Sequence, residues 1–253
     1  MPKRSYAQKT KPPMSKIRKI YFLRLICRCA ILIGSFLLYF ISPDEFNIIL
    51  GSNFFSRFSV LHLLWGVWIL DMVNQIFPIE KKLSIGSLKL FSQHFKPIRE
   101  KINHQALRTY IVTTTKAAYK VLLLWTALAA VIALLYHFDI LIPSHLFLIS
   151  VIFYVCDLIC VLIWCPFRLL MKTRCCTTCR IFNWDHLMMF TPFLFIPGIY
   201  TWSLFFFSLL VWLVWEACIL LYPERFWEYS NAALQCSNCT DKLCTQYCQK
   251  LRQ

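Results

Sequence analysis

Long apolar runs alternate with short polar or basic connections along this chain, and the lengths of the runs give it a first shape. A helix that crosses a bilayer needs about 20 mostly apolar residues. Six stretches approach that length: 21–41, 58–77, 119–137, 144–170, 183–199 and 201–222. The first carries Arg24 and Arg28 near its start, where long side chains can reach back to a polar surface. The fifth is short and interrupted by Pro192 and Pro197-Gly198, so a kinked or re-entrant half-helix is expected there. The expected fold class is therefore all-α: a polytopic transmembrane bundle of about six spans over 21–222. A basic tail precedes it (1–20) and a cysteine-rich tail follows (223–253). The first run is too long for the apolar part of a cleaved signal and no small-x-small site follows it, so it is expected to stay as a span.

Two elements are expected not to span. Ser42-Pro43-Asp44-Glu45 has the form of a capping box with proline at the first helical position, which predicts a short helix ending near Gly51. In the loop 78–118, Ile85, Leu88, Phe91, Phe95, Ile98 and Ile102 recur at steps of three and four. Lys89, Gln93, His94, Lys96 and Arg99 fall largely between them. That period predicts an amphipathic helix lying on a membrane surface, bent at Pro97.

Charge orients the pattern. Residues 1–24 hold eight Lys or Arg, 78–120 hold nine, and 168–180 and the segment after 222 hold four each; the loops 42–57 and 138–143 hold Arg57 alone. Cytoplasmic loops collect such residues, so both termini and the loops 78–118 and 168–182 are expected in the cytoplasm, in a plasma membrane. The net charge of +15 is accounted for by this bias and by anionic inner-leaflet lipids, with no nucleic-acid partner invoked. Composition agrees: 58% of residues are apolar and 15% charged, well below the quarter usual for soluble domains.

Thirteen cysteines change the picture. Cys27, Cys29, Cys156, Cys160, Cys165 and Cys218 sit within apolar runs and read as small packing residues. The others cluster at the basic side. Cys176 and Cys179 form one C-x-x-C pair and Cys236 and Cys239 another; Cys175, Cys244 and Cys248 are alternates. Two such pairs brought together make a tetrahedral four-sulfur site, and a reducing cytoplasm favours metal over disulfide. Zinc is the expected ion, as a structural staple between the 175–179 loop and the tail; an iron–sulfur cluster needs similar ligands.

Ionisable residues within lipid are costly and face a partner or a cavity. Asp71, Asp157, Asp185, His186 and Glu216 are the candidates for an intramembrane polar site, with Asp157 the deepest. The plainer reading pairs each carboxylate with Arg28, Arg168 or Arg180, or with Trp and Tyr. No phosphate loop, nucleophile elbow or H-E-x-x-H helix occurs, so no catalytic residue is assigned and the reading leans away from an enzyme. The run Cys179-Arg180-Ile181-Phe182-Asn183-Trp184-Asp185-His186-Leu187-Met188-Met189-Phe190-Thr191-Pro192, with Cys236-Ser237-Asn238-Cys239 and Cys244, resembles an uncharacterised family of small cysteine-rich bacterial multi-span membrane proteins. That resemblance covers about 160–245 and implies location and architecture, with no activity attached. The functional expectation is a membrane protein stapled by a cytoplasmic metal site that docks a soluble protein. A membrane thiol oxidoreductase and a small transporter using the carboxylates are the alternatives.

Overall fold

Ser15 opens the first helix. Its side chain accepts a hydrogen bond from the Arg18 backbone N–H at 3.1 Å, satisfying a donor that a helix start leaves over. The computed structural model describes residues 15–56, 58–77, 94–98, 102–172, 179–235 and 238. It continues this helix as α1 (Lys16–Ile41), followed by α2 (Val60–Ile76), α3 (His104–His137), α4 (Pro143–Leu162), α5 (Pro166–Met171), α6 (Asp185–Phe190) and α7 (Ile199–Leu221). Short 3-10 segments occupy Pro43–Ile49, Thr191–Phe195, Pro223–Phe226 and other connections. No strand occurs among the described residues.

Helices α1, α3, α4 and α7 are 26, 34, 20 and 23 residues long, with mean hydropathies of 1.9 to 2.4, enough to cross a membrane. Their outward faces are apolar as well: Leu23, Ile33 and Phe40 on α1 and Leu123, Leu124 and Leu134 on α3 are all exposed. Apolar surface this continuous is an association liability in water and is solvated by lipid. This is the build of a membrane protein.

The best-enclosed α-helix is one of the two shortest. Helix α6 and the 3-10 segment after it run beneath α2, α4 and α7, and Met189, Phe190, Phe193 and Ile196 are buried there. Phe190 and Phe193 lie against Trp68 of α2, at 5.2 and 6.1 Å between ring centroids. The break follows from sequence. Pro192 has no N–H to continue the α-helical ladder, and Thr191 turns its hydroxyl back to the Leu187 carbonyl at 2.7 Å. Thr201 then donates to the Ile196 and Gly198 carbonyls, and Gly51 N–H donates to Pro197 O at 2.8 Å. The irregular backbone is thus satisfied inside protein, the condition for holding it at membrane depth.

Several expected boundaries shift. The fourth apolar run ends as a helix at Leu162; Cys165-Pro166 interrupts it, and α5 is a separate single turn and a half. The third run belongs to a longer helix that begins at His104, where the Asn103 side chain accepts from Ala106 N–H. The segment after Ser42 is a 3-10 helix whose Phe46, Ile48 and Ile49 are buried, and Ser42 makes no side-chain cap there. Tertiary burial, in place of a capping box, sets its geometry. Most of the expected amphipathic helix lies outside the described residues, but 95–98 are not helical. Pro97 bridges Asn231, and Ile98 N–H donates to Ser230 O at 3.3 Å. The pairing with 230–232 overrides the helical period, and Pro97 could not have donated within a helix.

Gly198 is the tightest point of the end opposite the basic loops. It runs beside Ile49–Gly51, and a Cβ there would collide with the Ile49 carbonyl oxygen. Gly198→Ala should therefore destabilise the protein by about 1–3 kcal/mol, read as a lower midpoint of thermal unfolding in detergent. Gly34→Ala, which meets nothing within 4 Å, serves as the neutral control.

Candidate functional site

Antiparallel packing of α1 on α4 sets Arg28 opposite Asp157. Tyr21 at the start of α1 packs on Leu158, Val161 and Leu162 at the end of α4, and Tyr39 near the end of α1 meets His145 near the start of α4 at 3.0 Å. Between these two contacts the Arg28 guanidinium donates to Asp157 Oδ2 and to the Tyr154 carbonyl, both at 2.7 Å. It also stacks on the Tyr154 ring, 3.8 Å from the centroid, and lies 4.0 Å from Asp71 Oδ2 of α2. The Tyr154 hydroxyl donates to Asp71 at 3.4 Å. One arginine therefore joins three helices.

A second group adjoins it. Asp185, at the start of α6, lies 3.2 Å from His186 Nδ1 and accepts from Gln75 Nε2 of α2 at 3.2 Å. Gln75 Oε1 is buried without a hydrogen-bond partner among the described residues. Glu216 of α7 belongs to a third, separate knot. It pairs with Arg180, whose guanidinium also donates to Thr115 of α3, and it accepts from Trp184 Nε1 at 2.8 Å. The structure thus unites four of the five candidates, Asp71, Asp157, Asp185 and His186, and places Glu216 apart. Arg28 and Arg180 are the counter-charges the plainer reading named. Trp184 is buried, and Glu216 supplies the acceptor its N–H needs there.

Asp157 and Asp185 both reach the wall of a cavity of about 220 Å³ between α3, α4, α5 and α6. The rest of that wall is apolar or sulfur-bearing: Trp125, Phe153, Phe167 and Phe182, with Cys156, Cys160, Cys165, Cys179, Met188 and Met189. An apolar cavity of about 150 Å³ holds benzene, so this one has room for a body of roughly nine non-hydrogen atoms. Sequence reasoning took Cys156, Cys160 and Cys165 for packing residues. Their spacing held the missed signal, since residues four apart share a helix face and Cys165 follows at the break after α4. The Cys160 and Cys165 thiols hydrogen-bond to one another.

Of the expected metal ligands, Cys179 is described: it is buried and lies on the cavity wall, within electrostatic reach of Tyr110. Cys175, Cys176, Cys236, Cys239, Cys244 and Cys248 lie outside the described residues. Among the described residues no three His, Cys, Asp or Glu side chains are grouped to share a metal ion. Compared with family models, curated proteins and solved structures, the chain matches none.

The loss of Arg28 should be costly. Arg28→Ala leaves Asp157 and Asp71 facing each other without their cation, and removing one partner of a buried pair costs about 3–5 kcal/mol. Lys19→Ala, on the exposed side of α1, should stay within about 0.5 kcal/mol. Arg28→Met combined with Asp157→Asn should cost less than Arg28→Ala alone. Unfolding midpoints of the purified variants check all three.

Proposed function

We propose that this is a multi-pass membrane protein that binds a small cation in the cavity at Asp157 and Asp185. The observation that carries the reading is the imbalance of charge at that place. Asp71, Asp157 and Asp185 converge on Arg28 and His186, and the buried Gln75 Oε1 adds an acceptor with no donor among the described residues. Asp71 stands at the more exposed edge of the group, and with it the carboxylates outnumber the cations even when His186 is protonated. Excess negative charge in a low-dielectric interior is costly, and it is relieved by taking up positive charge. An apolar cavity with carboxylates in its wall supplies both a place for the cation and the shielding that strengthens its attraction.

In this reading the chain crosses the membrane six times. Helix α2, of 17 residues, and the broken α6 segment complete crossings that the four long helices begin. Broken helices near the membrane midplane are common at ion and substrate sites, and α6 begins at Asp185 itself. The charge bias puts the cavity in the cytoplasmic half and both termini in the cytoplasm, with anionic inner-leaflet lipid against the basic end.

A second reading, the zinc staple, draws support from the packing of the tail. Asn231 is fully buried and accepts from Lys96 N–H; Tyr110 stacks on Trp227 and donates to Phe226 O. Asn238, inside the Cys236–Cys239 pair, folds back onto the Ala232 carbonyl at 3.0 Å. The tail therefore leaves an ordered cap that includes Tyr110, within whose electrostatic reach Cys179 lies.

Two measurements test these readings. A cation at a hundred times its dissociation constant stabilises by about 2.7 kcal/mol, or roughly 5–10 °C in a chain of this size. Thermal unfolding is followed in sodium, potassium and tetramethylammonium salts at constant ionic strength. The wild type should respond to at least one, and Asp185→Asn should lose the response while being no less stable without it; no response to any ends the cavity reading. For the staple, elemental analysis under reducing conditions should find about one zinc per chain, lost in Cys236→Ser/Cys239→Ser. Less than about half an equivalent counts against zinc, and visible absorption with bound iron would replace it by an iron–sulfur cluster.

A further inference from the structure

Six sulfur side chains line the same cavity: Cys156, Cys160, Cys165 and Cys179 with the thioethers of Met188 and Met189. They come from α4, the break after it, the segment before α6, and α6 itself. Such a gathering is not needed for packing, since leucine would fill the same wall. Hard cations prefer oxygen, and thiolate with thioether selects soft ions, monovalent copper foremost. We infer that Cys160 and Cys165 hold a soft monovalent metal ion, Cu(I), between their sulfurs at the lip of this cavity, with Met188 and Met189 as further soft donors beside it.

The geometry favours this ion over zinc. Zinc needs four ligands in a tetrahedron, and among the described residues no three His, Cys, Asp or Glu side chains are grouped for one ion. Monovalent copper is satisfied by two sulfurs in a line, with the ion between them. Two thiols already within hydrogen-bond reach need little movement to admit it. Loading exchanges two S–H bonds for two S–Cu bonds and releases two protons to water, with no change of oxidation state. The bis-thiolate carries one negative charge. The apolar remainder of the wall, with Phe153, Phe167 and Phe182, gives the ion a low-dielectric surround on that side.

This site stands beyond the carboxylate reading and does not require it. The test uses the full chain, purified in detergent under anaerobic reducing conditions. Cu(I) is titrated against a chromophoric Cu(I) chelator. The wild type should hold one Cu(I) per chain, at least a hundredfold more tightly than Cys160→Ser/Cys165→Ser. A variant with Cys236, Cys239, Cys244 and Cys248 all changed to Ser should retain this site, and so should Asp185→Asn. In the wild type itself, bound copper should shield Cys160 and Cys165 from maleimide, read by mass spectrometry, so the answer does not depend on a variant folding. Equal affinity in Cys160→Ser/Cys165→Ser, unshielded Cys160 and Cys165, or an equally tight site for zinc at this pair would overturn the proposal. Copper retained by Asp185→Asn while that variant loses its response to other cations supports both sites separately. Loss of the copper site with the carboxylate response intact removes the copper site alone.

Discussion

A backbone that is not a regular helix cannot face lipid, because its N–H and C=O groups would find no partner there. Residues 185–197 are such a backbone: six residues of α-helix, five of 3-10 helix, then Ile196 in extended form before Pro197. Much of the surrounding architecture answers that requirement. Helices α2, α4 and α7 wall the segment in, α3 closes one side through Trp125 on Thr191, and the 43–49 segment covers its far end with Ile48 and Ile49. Thr191, Thr201 and Gly51 satisfy its loose carbonyls. Helices α1 and α3 stand farther out and carry much of the lipid-facing surface.

Enclosing that segment also sets the chemistry. Because α6 starts deep among the other helices, Asp185 and His186 enter the bundle beside Gln75 and near Asp157. Arg28 then binds α1 to α4 and α2 through one guanidinium. Pairing of this kind adds little net stability compared with apolar packing, but it is costly to half-remove, so it fixes which helix faces meet. The sulfur-lined cavity follows from the same arrangement. Where α4 stops at Leu162 and Cys165-Pro166 turns the chain away, a gap opens between α4 and α6, and its walls are the residues those two elements present.

Much of this was legible along the chain, and the failures have identifiable physical causes. Hydropathy located at least part of each of the four long helices among the described residues, because the requirement of about 20 apolar residues is a property of the lipid and needs no knowledge of neighbours. Pro192 and Pro197 announced the broken segment, since proline removes a ladder donor wherever it stands. The intramembrane carboxylates were visible from their cost alone, and Arg28 and Arg180 were named among their counter-charges. Glu216 could not be separated from the rest by sequence, because only the placement of Arg180 and Thr115 draws it into a different knot. The 95–98 segment was misread for a related reason: an apolar period suits a helix or a strand-like edge, and pairing with 230–232 decided between them.

Sequence by itself determined the local and one-dimensional properties: which runs are apolar enough for lipid, where the helical ladder must break, and which end carries the basic residues. Tertiary structure decided whatever depends on two distant segments meeting. It set Arg28 against Asp157, left Gln75 with an acceptor unanswered among the described residues, and turned Cys160 and Cys165 from apparent filler into neighbours on a cavity wall. Hydropathy is a property of each residue and its near neighbours, whereas a site is a coincidence of rotations about several helix axes, and those rotations are fixed only by packing.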